Sequence, residues 1–313
     1  MTASLNTKRL YSLKLVGLDS YFNEMLKLYE IKRFPRVLLL SGKKGIGKFT
    51  LAMHFINCIF SKNEKIPYDI ANKIINSDSI FYNLLLNKTT QDVNFIKAEA
   101  NKNIKIEDIR SLKTILSNSS LSSYPRFNII DDVEFLNSNS ANALLKTLEE
   151  PSNNDFFILI NNQQNDLIET ISSRCLNTNI FLRPDKKKEI IKYLLEERRI
   201  KNVIDPDTNL TPGLFLKFNE IYLKYKINKD DNTYAILNVL INAYKKEKDK
   251  SIITLVYFLI DYFFLHKIQN NFSKIDFLLD TKSSIIKTIN DFVYFNLNIH
   301  SVLNSIETKL HNV

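Results

Sequence analysis

The apolar positions change period several times along the chain. Leu18, Phe22, Met25, Leu26 and Tyr29 recur at near-helical spacing and predict a helix over 17–33. Val37 to Leu40 is an unbroken apolar run that reads as a buried strand. It breaks into a glycine-rich turn, after which Leu51, Ala52, Phe55, Ile56 and Ile59 mark one face of a second helix. Residues 61–90 mix Asn, Lys and Ser with apolar positions and carry no assignable element. A strand over 92–98 follows, then a helix whose Ile106, Ile109, Leu112, Ile115 and Leu116 face the sheet, and then a polar break over 117–123. The strand Phe127 to Ile130 delivers Asp131 and Asp132 where it leaves the sheet. A helix over 140–150 is stopped by Pro151, and the strand 156–160 runs out into Asn161 and Asn162. A short helix containing Ser173, Arg174 and Cys175 leads to a last strand over 180–182. Strands alternating with helices in this way imply an α/β fold, a mostly parallel sheet covered on both faces.

Beyond Pro184 the texture becomes helical. Lys186 to Arg199 is a charged amphipathic helix, short polar joints lead to Pro212 and Gly213, and from about Asn232 no strand alternation interrupts the helical period. A final helix is expected within 289–310. The expected division is a core over 1–184, a small helical domain over 185–230 and an all-helical domain over 231–313, the last a four- or five-helix bundle.

The length of 313 residues suits two or three domains with substantial cores. The two cysteines, Cys58 and Cys175, are too few for a four-ligand zinc cluster. They suggest a reducing compartment, and Cys58 continues an apolar helix face, as a core thiol does. No apolar leader with a small-residue cleavage site is apparent, and the apolar run Ile252 to Leu265 is short for a membrane span. A cytoplasmic protein without membrane contact is the expectation. The formal charge of +9 favours polyanionic partners, although a Lys-rich surface can equally serve solubility.

The candidate chemistry centres on Gly42, Gly45, Gly47, Lys48 and Thr50. This run reads as a phosphate-binding loop of the G-x-x-x-x-G-K-[ST] kind, beginning at Gly42 between a strand and a helix. Its amides and the helix N-terminus would face a phosphate, Lys48 would reach the outer phosphates and Thr50 would hold magnesium. Asp131 and Asp132 suit metal coordination and orientation of water, and the amides of Asn161 and Asn162 can bond a terminal phosphate or cap the turn.

With these residues stand Asn142 to Pro151, reading NALLKTLEEP, and Ser173-Arg174-Cys175. Their order and spacing over about 17–183 closely resemble the delta-prime branch of the bacterial DNA polymerase III clamp-loader family, while the carboxyl-terminal third matches only in length and helical character. The resemblance implies an AAA+ core with a helical lid and a collar, assembled in a heteropentameric ring that places a sliding clamp on primed DNA. The implied partners are gamma/tau and delta subunits, the clamp through the complex, and DNA bound without sequence reading. Arg174 resembles the arginine finger offered to a neighbour's nucleotide, where a guanidinium offsets charge on the transferred phosphoryl group. On residues alone, Arg174 could instead be a surface cation paired with Glu169. Lys146, Glu149 and Glu150 fit either a subunit contact, an approach to DNA or a solvated face, and Lys102, Lys105 and Arg110 are possible backbone contacts on charge alone.

The sequence departs from the family pattern at four places. Asp132 replaces the usual glutamate, Asn161 or Asn162 the usual threonine, and Leu214 an arginine that senses nucleotide. A four-cysteine zinc module is absent from 61–90. The resemblance therefore implies bound ATP or ADP, with magnesium possible and no zinc, and weak or absent hydrolysis with Asp132 a poor base. Two other readings stay open, a hydrolysing gamma/tau-type motor and a stand-alone phosphate-loop module that binds nucleic acid.

Overall fold

The computed structural model describes residues 11–98, 103–117, 125–205, 208–228, 230–270 and 272–313. The reading of the first ten residues, most of the polar break and the candidate Lys102 lie outside the described residues. The first compact unit comprises residues up to Arg199 together with Asn209–Phe215. It contains helix α1 (Asp19–Glu30), strand β1 (Val37–Ser41), α2 (Lys48–Phe60), α3 (Ile80–Leu86), β2 (Val93–Lys97) and α4 (Ile106–Ser117). It continues with β3 (Arg126–Asp131), α5 (Ser138–Glu149), β4 (Asp155–Asn161), α6 (Glu169–Ser172), β5 (Leu176–Asn179) and α7 (Pro184–Arg198).

The five strands form one parallel sheet in the order β2-β3-β4-β1-β5, as the alternating pattern predicts. All five residues of β1 and all six of β3 are buried, which is why both read as runs rather than alternations. Successive side chains still part to opposite faces. Leu38 and Leu40 join Phe22, Leu51, Phe55, Phe127 and Ile158 beneath α1 and α2. Val37 and Leu39 join Ile109, Ile130, Leu144, Phe157 and Leu159 beneath α4 and α5. At the far end of the central strands, Arg126 and Asp155 form a buried bidentate pair, with Nε–Oδ1 at 2.6 Å and Nη2–Oδ2 at 3.1 Å. The same guanidinium donates to the carbonyls of Ile115 and Leu116, and so ties the end of α4 to the sheet.

Several expectations are corrected. The last strand is Leu176–Asn179 rather than 180–182. It is a polar edge strand paired through Leu38↔Leu176, so it had no apolar run to announce it. The short helix ends at Ser172 with Ser173 as its cap, so Arg174 and Cys175 sit in the turn that enters β5 rather than inside the helix. Ile115 turns away from the sheet and is 41% exposed. The unassigned stretch contains α3, whose first amides are capped by Ser79 and by the carboxylate of Glu64.

The second unit comprises Ile200–Thr208 and Leu216–Val313. Helix α8 (Pro212–Lys224) contributes its residues from 216 onward, followed by α9 (Thr233–Glu247), α10 (Lys250–Asn270), α11 (Ile275–Phe295) and α12 (Ile299–His311). The expected single final helix is two, because Asn296 takes a left-handed conformation at φ 53° that ends α11. At 21 residues, α10 is longer than its apolar run and is the one described helix long and apolar enough to cross a membrane. Here it packs against α9 and α11, burying Ile252, Leu255, Val256, Ile260 and Phe264, with Tyr257 donating to Asn290 at 2.6 Å.

Candidate functional site

The glycine-rich loop joins β1 to α2 at the carboxyl ends of the strands, the place where open parallel sheets present loops to ligands. Gly45 and Gly47 adopt φ of +85° and +101°, which other residues reach only with strain. Gly45 has a second constraint. A Cβ there would lie 2.6 Å from Thr211 Oγ1 and 3.0 Å from Leu214 N, because the start of α8 is packed onto the loop. Thr211 Oγ1 donates to Lys44 O at 2.7 Å and Gly213 N to Gly45 O at 2.8 Å. Leu214 thus stands beside the loop, bringing an apolar side chain and no cation.

Lys48 opens α2 and is almost wholly buried. Its ammonium donates to Gly42 O at 2.6 Å and Lys43 O at 2.9 Å. Burial lowers its pKa to about 8, against the pull of Asp131, Glu134 and Asp132. The loop carbonyls hold the ammonium, and an anion placed at the helix N-terminus would restore its full charge.

The acidic pair is enclosed by donors. Asp131 Oδ2 receives Lys97 Nζ at 2.6 Å, and Oδ1 accepts the Asp132 amide and Asn162 Nδ2, both at 3.0 Å. Asp132 is left-handed at φ 61°, which turns its carboxylate toward Asn162 Nδ2 at 2.8 Å and Lys44 Nζ at 3.5 Å. Burial works to lower the Lys97 pKa, but Asp131 prevails and raises it. Asn162 is therefore the amide brought to the pair. Asn161 ends β4, with its carbonyl accepting the Gly42 amide and its side chain accepting the Gln163 amide.

Sequence reasoning missed Lys97 and Glu134. Glu134 is buried and accepts the Asn162 amide at 3.0 and 3.1 Å, and its pKa is raised by burial. Its position two residues after Asp132 is visible in the sequence, but its partner is 28 residues away. Lys97 lies opposite Asp131 in the β2–β3 register, which no sequence pattern reveals.

The fit of magnesium is poor. The motif places its hydroxyl directly after the lysine. In this chain that residue is Phe49, whose ring lies 6.1 Å from those of Tyr11 and Phe95. Thr50 comes one residue late, about 100° further round the helix. The Asp131 carboxylate meanwhile already carries an ammonium. Among the described residues no group of three or more His, Cys, Asp or Glu side chains is placed to hold a metal ion. Of the two residues expected to hold magnesium, Thr50 thus lies one position past the motif's hydroxyl and Asp131 is in contact with the Lys97 ammonium.

Arg174 stands apart from this cluster. It donates from Nε to Glu149 Oε1 at 2.7 Å and from Nη1 to Thr170 O at 2.8 Å, with Ser173 Oγ at 3.4 Å. Its carboxylate partner is Glu149, at the end of α5, rather than Glu169. Cys58 is buried, and burial pushes both Cys58 and Cys175 up to about 11, so neither suits a nucleophile. Lys105 and Arg110 are exposed.

The family model described as DNA polymerase III, delta subunit matches residues 18–183, more than half of the chain. Over 176 residues the chain is 33% identical to DNA polymerase III subunit gamma of Buchnera aphidicola subsp. Acyrthosiphon pisum, covering 56% of this chain and 45% of that protein. Over 169 residues it is 28% identical to subunit delta' of Bacillus subtilis, covering 54% and 48%. The chain thus spans about half the length of the curated relatives it matches. A solved DNA polymerase III gamma subunit-related protein from Thermotoga maritima aligns over 91% of this chain and 98% of its own, at 18% identity and a TM-score of 0.47.

Proposed function

Because this chain belongs to the family described as DNA polymerase III, delta subunit, we propose that it works as a delta-prime-type member of a clamp-loader ring. In this role it binds ATP or ADP at its loop, hydrolyses it slowly or not at all, and serves a neighbour's nucleotide with Arg174. The observation that carries the reading is the separation of two chemistries. The acidic pair beside the loop is spent on Lys97, Lys44 and Asn162, whereas the contacts of Arg174 are with Glu149, Thr170 and Ser173 and with no residue of the loop.

A base needs an available carboxylate near the attacking water. Asp132 is buried, is one methylene shorter than the family's glutamate, and is directed at Asn162. An arginine finger needs a guanidinium held in place before the partner arrives, and Glu149 with Thr170 holds this one. In this reading residues 185–230 form the lid and 231–313 the collar, the partners are gamma/tau and delta subunits, the clamp and primed DNA, and the work is done in the cytoplasm. Exposed Lys105 and Arg110 would follow the DNA backbone by charge.

A gamma/tau-type motor is the second reading, favoured by the intact Gly42, Gly45, Gly47 and Lys48 and by the similarity to gamma subunits. Reconstitution with gamma/tau, delta, clamp and primed DNA separates the two. Arg174→Ala should leave the ring assembled and lower its DNA-stimulated ATP turnover and clamp loading, with Lys48→Ala tolerated. Unchanged turnover with Arg174→Ala would remove the finger, and loss confined to Lys48→Ala would favour the motor.

A further inference from the structure

We propose that this site binds its nucleotide without a divalent cation, with Lys97 and Lys44 taking the metal's place beside the phosphates. The inference rests on the reading of the loop as a nucleotide site. It adds how the phosphate charge is balanced there.

Two independent substitutions support it. A magnesium ion at a phosphate loop is held through a hydroxyl that follows the lysine and through an acidic residue at the end of a neighbouring strand. Here Phe49 occupies the hydroxyl position and turns its ring toward Tyr11 and Phe95. At the acidic position, the Asp131 carboxylate is bound by Lys97 at 2.6 Å through one oxygen and by two N–H donors through the other. A dication brought to that carboxylate would meet an ammonium already in contact with it. Magnesium also sheds its water reluctantly and demands octahedral oxygen ligands, which a phenyl ring and a protonated amine do not supply.

The amines present are suited to the task. Lys97 has three N–H donors and a side chain 61% exposed, so it can keep Asp131 and offer a second donor to a phosphate. Lys44 lies within the loop itself, its ammonium 3.5 Å from Asp132. Asp131 and Asp132 both favour the charged forms of Lys48 and Lys97, and their direct contacts are with Lys97 and Lys44. Lys44, Lys48 and Lys97 bring three positive charges against the two carboxylates of Asp131 and Asp132, a net of one, and the amides of the loop add their hydrogen bonds to the phosphates. Such a nucleotide would be retained without the metal that hydrolysis uses, a structural ligand of the loop.

The test is equilibrium binding of fluorescent ADP and ATP analogues to the full chain, in excess magnesium and in EDTA. The wild-type chain should bind equally in both. Lys97→Ala should weaken binding in EDTA by about tenfold, the loss of one charged hydrogen bond, while Lys97→Arg keeps it. Circular dichroism checks that the variants fold. Binding that requires magnesium in the wild type, or Lys97→Ala indistinguishable from wild type in EDTA, would overturn the inference and leave the nucleotide site standing. No binding in either buffer would overturn both.

Discussion

Replacing Lys48 with methionine should stabilise the first unit at neutral pH while abolishing its hold on phosphate. Lys48 is buried, and among the described residues its ammonium hydrogen-bonds two loop carbonyls. Its pKa falls from 10.5 to about 8, and at about 1.4 kcal/mol per pH unit this is a penalty of about 3 kcal/mol for keeping the charged form folded. Methionine matches the stem in volume and removes the charge. It also forfeits the two hydrogen bonds, which lie at 2.6 and 2.9 Å and contribute about 1 kcal/mol net each. The expected gain is about 1–2 kcal/mol at pH 7. Its pH dependence has a definite sign. The folded pKa lies below the unfolded one, so the unfolded state binds more protons between about 8 and 10.5. The wild-type penalty is full below 8 and is relieved as pH rises toward 10.5. The advantage of Lys48→Met should therefore shrink over that window and vanish or reverse above it. Urea unfolding followed by circular dichroism, with amide exchange across β1 and α2, measures it. A variant less stable than wild type at pH 7, or a gain constant from pH 7 to 10, would refute the electrostatic account. Stability given up at a ligand-binding group in this way is the ordinary cost of a functional site.

Other consequences can be measured separately. His54 is buried between Tyr68 Oη and Ser12 O, and burial lowers its pKa to about 4. Acidification from about 6.5 toward 4 should therefore cost about 3 kcal/mol, a slope that His54→Gln removes from urea titrations at the two pH values. Asp155→Ala strands the buried Arg126 guanidinium and should cost about 3–5 kcal/mol, and adding Arg126→Met should recover part of it, as a double-mutant cycle of unfolding free energies would show. With its thiol at about 11, Cys175 should react with iodoacetamide at pH 8 roughly a hundredfold more slowly than a free thiol, by mass spectrometry of the alkylated peptide.

The legible parts of the fold were those where burial and period coincide. Strands β1 and β3 are buried on both faces and β4 almost so, and α2 and α5 carry their apolar residues at helical spacing toward the sheet. β5 was misplaced because an edge strand with Asn177, Thr178 and Asn179 has no core to fill. Its pairing comes from the exposed hydrogen-bonding edge of β1 and not from its side chains. The split between α11 and α12 was hidden for a related reason, since Asn296 breaks the backbone without breaking the apolar rhythm.

The candidate site divides along the same physical line. Local order along the chain determined the loop, its lysine, the acidic pair and the arginine turn, because each is built by residues a few positions apart. Only the tertiary structure decided what those groups face. Strand register set Lys97 against Asp131, the β4 exit brought Asn162 between the two aspartates, and the end of α5 supplied Glu149 to Arg174. The start of α8 closed on Gly45 from more than 160 residues away. A charge's partner depends on distance through space, which the parallel crossovers of the sheet establish and the spacing of residues along the chain does not.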